Sequence, residues 1–73
     1  MQTTPVKLLD VVALLVDKPD EGLVVGQVGT VVEVLAPDAY EIEFLDSQGK
    51  TIAVTELKRF EVLVLKHEPA VAA

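Results

Sequence analysis

The sequence predicts a small all-β domain, and three observations carry that prediction. Apolar and polar residues alternate with a period of two along most of the chain. Clusters of Asp, Gly, Pro and Ser interrupt the alternation at short intervals. And 73 residues with no cysteine hold one core, built without disulfides or thiolate metal sites.

The first strand is predicted over 11–16, a run of valine, alanine and leucine. A turn-forming cluster, Asp17-Lys18-Pro19-Asp20-Glu21-Gly22, follows, and Gly26 closes this long loop. The second strand spans 28–35 and stops at Pro37-Asp38, because proline cannot donate to a central ladder. The third, 40–45, alternates most cleanly, with Tyr40, Ile42 and Phe44 on one side and Glu41 and Glu43 on the other. A turn over 46–50 leads to a fourth strand over 51–55. One short helical turn, 57–60, then precedes a fifth strand, 62–65.

Parity supplies a register. With Ile42 and Phe44 inward, pairing Phe44 with Ile52 and Ile42 with Val54 leaves a three-residue loop, Ser47-Gln48-Gly49. Such a loop needs positive φ at its last residue, where glycine stands. The same reasoning sets Val32 and Val34 inward against Ile42 and Tyr40, with Ala36-Pro37-Asp38 as the connection. Five strands, a long first loop, two tight hairpins and a helical turn before the last strand form the succession of an SH3-like barrel. An OB-type barrel would want a helix between the third and fourth strands. The expected organisation is a flexible amino terminus (1–5), the barrel (6–65) and a flexible carboxyl-terminal tail (66–73).

The hydrophobic fraction, 51%, exceeds what so small an interior can hide, so apolar side chains are expected outside, at a homo-oligomer or partner interface. Strand five makes the point: one of the pairs Val62/Val64 and Leu63/Leu65 must find cover, from the segment 6–9 or from another chain. The formal charge is −6, and it is uneven. No basic residue lies between Lys18 and Lys50, a stretch holding Asp20, Glu21, Glu33, Asp38, Glu41, Glu43 and Asp46. The amino terminus lacks a signal-peptide pattern, and no apolar run reaches the roughly 20 residues of a membrane span. A soluble, cytoplasmic protein is expected.

Three segments carry a family resemblance: Lys7-Leu8-Leu9-Asp10-Val11-Val12-Ala13-Leu14-Leu15, Gly26-Gln27-Val28-Gly29-Thr30-Val31-Val32-Glu33-Val34, and Tyr40-Glu41-Ile42-Glu43-Phe44. In this order they resemble a bacterial family of short proteins, domain of unknown function 4926, over positions 6 to 65. The resemblance implies a small cytoplasmic bacterial protein encoded beside candidate toxin genes in mobile or defence-type settings, and hence an antitoxin or immunity role. Within the second segment, Gly26 to Val31 is similar to the KOW motif of ribosomal and transcription proteins, which implies a nucleic-acid-associated module as the alternative. RNA-binding KOW families surround the motif with lysine and arginine; here none is near.

Candidate site residues follow from the outer face of the third strand. Glu41 and Glu43 are joined there by Glu33, and parity adds Val31, Leu35 and Leu45. Spreading carboxylates over a solvated face is their ordinary use; docking a basic protein partner is the functional one, and Glu33, Glu41, Glu43, Val31 and Leu45 are the residues that would carry it. Lys58-Arg59, even with Lys50, is a meagre nucleic-acid footprint without an aromatic platform. One histidine, His67, and no cysteine leave a transition metal without ligands. Ser47 sits in a tight turn far from His67, so no nucleophile pair forms. Asp17, Asp20 and Glu21 lack the spacing of a calcium loop. The sequence therefore predicts a non-catalytic interaction module with no metal or cofactor.

Overall fold

The structure, a computed structural model, describes residues 5–65. The expected tails, with His67, lie outside the described residues except for Pro5. Five antiparallel strands form one sheet: β1 (Val11–Leu14), β2 (Val28–Ala36), β3 (Ala39–Leu45), β4 (Thr51–Lys58) and β5 (Val62–Val64). Their spatial order is β4-β3-β2-β1-β5, and the only helical pieces among the described residues are two 3-10 turns, Pro19–Glu21 and Arg59–Glu61. The all-β prediction holds. A helical turn joining the two edge strands of a five-stranded sheet is the SH3-like arrangement.

The inner face shows why these residues settle here. Val12, Leu14, Leu23, Val31, Tyr40, Ile42, Phe44, Leu57 and Val62 are fully buried. Phe44 has Gly29 as its cross-strand neighbour on β2 and Ala53 on β4, so its ring lies between the two smallest inward positions. A Cβ built on Gly29 would stand 2.7 Å from Ile42 Cγ2 and 2.8 Å from the Glu43 carbonyl oxygen. The close approach explains that glycine. The turn after β3 follows expectation: the Asp46 N–H donates to the Lys50 carbonyl, and Gly49 closes the loop at φ +84°. Asp46 Oδ1 also accepts from the Gln48 and Lys50 N–H groups.

Two β-bulges change the predicted register. Leu45 pairs with Thr51, but Phe44 pairs with Ala53, so Ile52 is the extra residue in β4. Beyond it Ile42 faces Thr55 and Tyr40 faces Leu57. Ile52 and Val54, expected inside, are therefore exposed. The physical reason lies past Thr55, where the prediction ended the strand: an unbulged β4 would turn Glu56 into the core and Leu57 into water. Burying an unpaired carboxylate costs far more than leaving two aliphatics half exposed. On β2 the bulge falls at Val32, so Val31 is the residue opposite Ile42, and Val32 is exposed. Val34 does pair with Tyr40 as expected, yet its side chain is exposed. A second irregularity, at Leu35, pairs Ala36 with Ala39 and shortens the connection to Pro37-Asp38.

The loops are tied to the sheet by specific bonds. Glu21, from the first 3-10 turn, accepts a hydrogen bond from the Thr55 hydroxyl, which satisfies the one buried polar side chain of the described core. Leu23 drops into the core from the same loop. The Arg59 N–H donates to the Asp38 carbonyl, and the Tyr40 hydroxyl to the Pro37 carbonyl. The helical turn, expected over 57–60, is Arg59–Glu61 because β4 runs on to Lys58. β1 ends at Leu14 rather than at 16. Val6 joins the core, but Leu8 and Leu9 are exposed, so the segment 6–9 does not cover Leu63 and Leu65, which are exposed as well.

Candidate functional site

β3 is the centre of an acidic surface because its even positions are all core. Tyr40, Ile42 and Phe44 face inward, which leaves Glu41 and Glu43 on the opposite side. The register carries that side across three strands. Glu41 lies directly opposite Glu33 on β2 and directly opposite Glu56 on β4. The result is a row of three carboxylates, Glu33–Glu41–Glu56, on adjacent strands. Glu43 stands in the neighbouring row, between Thr30 and Val54, and its Oε2 accepts from the Thr51 hydroxyl at 2.6 Å.

Little positive charge compensates this row. Lys58 Nζ stands 3.8 Å from Glu56 Oε2, a loose and solvated pair. Among the described residues no ion pair involves Glu33, Glu41 or Glu43. Like charges directly opposed in a sheet cost a few tenths to about 1 kcal/mol.

The sequence-derived candidates are thus partly assembled. Glu33, Glu41 and Glu43 share one surface as expected, and Leu45 is exposed at its end. Val31 is a correction: the bulge at Val32 turns it inward, and it is fully buried and unable to touch a partner. Glu56 was missed. The signal for it was the alternation continuing through Thr55-Glu56-Leu57-Lys58, which extends β4 and sets a glutamate outward.

The other half of the outer face is different in kind. Val28, Ala13 and Leu63 form one row across β2, β1 and β5, and Val11 lies opposite Thr30. The Leu65 N–H donates to the Val11 carbonyl, and the Leu15 N–H to the Glu61 carbonyl. No charged side chain stands at the outward positions of these three strands where they pair. At its end is the firmest ion pair in the described chain, Lys18 Nζ to Glu61 Oε2 at 2.8 Å. Burial pushes the Glu61 carboxyl up, but the hydrogen bonds from Lys18 and from the Lys58 N–H outweigh it and hold the group below its ordinary value. The hydrogen bond to Glu61 raises Lys18 above its own.

Among the described residues no cluster of three or more His, Asp or Glu side chains is arranged to hold a metal ion, and no helix is long and apolar enough to cross a membrane. No curated protein and no solved structure matches the chain. One family model does: it matches residues 8–64, which takes in all five strands and both halves of the outer face. The chain belongs to the family described as domain of unknown function DUF4926.

Proposed function

We propose that this protein is a non-catalytic interaction module that offers the outer face of β2–β3–β4 to a basic protein partner. The observation that carries this reading is the row Glu33–Glu41–Glu56, three carboxylates held in register beside Glu43. Fixed, aligned negative charge steers a positively charged partner and sets its orientation. The exposed aliphatics on the Glu43 side of the row, Val54, Ile52 and Leu45, give that partner apolar surface to cover. The specific form of the proposal, suggested by the family resemblance, is antitoxin or immunity binding to the product of an adjacent gene. A nucleic-acid role would need the opposite charge on this face.

Co-expression of the tagged full chain with the product of the adjacent gene tests the proposal. The partner should co-purify at low salt and dissociate as salt rises. Charge reversal at Glu41 and Glu43 to lysine should abolish capture while the circular dichroism spectrum stays unchanged. Failure to capture the partner, or capture by the folded charge-reversed variant, rejects the reading.

A further inference from the structure

We infer that the second half of the outer face, on β2–β1–β5, is a self-association surface that pairs this chain with a copy of itself. Its exposed members are Val11, Leu15, Val28, Leu63 and Leu65, each between 38% and 49% exposed. The register sets Val11, Val28 and Leu63 around Ala13, and backbone bonds from the Leu15 and Leu65 N–H groups to Glu61 and Val11 continue the β1–β5 pairing at either end.

Charge identifies the occupant. A two-fold contact lays a surface on its own copy, so a face that carries one sign of charge is opposed by that same sign. The chain carries a formal charge of −6, and the carboxylate row, all of one sign, is barred from such a contact. The β2–β1–β5 face is the part of the sheet where that objection disappears. The ion pair at its end, Lys18–Glu61, is internally neutralised.

Shape points the same way. Alternating valine and leucine on a sheet is the ordinary complement of a second sheet face, packed about 10 Å away. The five side chains present an apolar patch on the order of 400 Å², within the range of the largest patches on monomers, which are often functional. Two copies, with their rims, would bury about 1,000 Å² in total, the lower bound for a specific interface. A reversible dimer follows, rather than an obligate one.

Sedimentation equilibrium of the full chain, from micromolar to millimolar, tests this. The mass should climb from that of one 7.9 kDa chain towards twice that, more readily at higher salt as the net charge is screened. Leu63→Glu and, independently, Val28→Lys should each weaken association by about 100-fold or more, because the contact would then bury like charges. Circular dichroism shows which variants are folded, and either suffices. Glu41→Lys should leave the dimer intact. A monomer at all concentrations overturns the inference, as does a dimer that survives both face substitutions or dissociates with Glu41→Lys. No partner protein is needed, so failure here and failure of the acidic-face reading are separate results.

Discussion

Gly29→Ala is the sharpest test of the packing on which both outer faces depend. The added methyl group would meet Ile42 Cγ2 at 2.7 Å, the Glu43 carbonyl oxygen at 2.8 Å and Phe44 Cδ1 at 2.9 Å. Ile42 and Phe44 are fully buried, and the Glu43 oxygen belongs to the backbone of β3, which is paired on both sides. None of the three can step aside cheaply. Overpacking of this kind costs about 1–3 kcal/mol. Against it stands about 0.4–1 kcal/mol gained by restricting the unfolded chain. The backbone obstacle places the clash at the upper end, for a net loss of about 2 kcal/mol. A domain of this size has on the order of 4–10 kcal/mol to lose. With a urea slope near 1 kcal/mol/M, the midpoint should fall by about 2 M. Gly49→Ala is the control: its φ is +84°, but nothing lies within 4 Å of the added group, so only backbone strain opposes it. If Gly29→Ala proves no less stable than Gly49→Ala in urea, the close approach of β2 to β3 is wrong.

Three further outcomes are expected. Glu41→Gln removes the middle charge of the Glu33–Glu41–Glu56 row, and chemical denaturation should show a gain of a few tenths to about 1 kcal/mol that shrinks in high salt. Leu57→Ala should cost about 2–5 kcal/mol, because this fully buried residue is what the bulge at Ile52 delivers to the core; an Ile52→Ala change at the exposed bulge should cost far less in the same assay. The Lys18–Glu61 pair should shape the pH dependence of stability. Glu61 is held below its ordinary value in the folded state, so its contribution is full above the ordinary glutamate range and lost as pH falls through the lowered value. Lys18 is raised, so its contribution is full below the ordinary lysine value and lost as pH climbs through the raised one. Denaturation midpoints of Lys18→Met across pH should be flatter than those of the parent at both extremes, and parallel curves would rule the pair out.

Much of this was legible because it is local. The loop Ser47-Gln48-Gly49, the inward set Tyr40-Ile42-Phe44 and the opposition of Glu33 to Glu41 each depend on a few neighbouring residues. The bulges are not local. Whether β4 keeps its parity at Ile52 is decided four and five residues later, by Glu56 and Leu57 competing for the core. On β2 the run Val31-Val32-Glu33-Val34 contains valines of both parities, so alternation alone could not say which faces Ile42. That ambiguity placed Val31 on the wrong side. Glu56 escapes for a different reason: a strand ended at Thr55 has no outward position there, although β4 runs on to Lys58.

The bulge at Ile52 also bears on what the carboxylate row means. It turns Leu57 inward and Glu56 outward in one step, and Glu56 then falls into line with Glu33 and Glu41. Packing alone is therefore enough to produce the row, since opposing three glutamates costs at most about 1 kcal/mol per pair and burying one costs several times that. Stability measurements cannot separate a working surface from a tolerated one, because Glu41→Gln should stabilise the fold in either case. Binding can. On a tolerated surface the substitution gains stability and changes nothing else. On a docking surface the same substitution gains stability and loses the partner, and that opposition between the two readouts is the signature of a site retained against the preference of the fold.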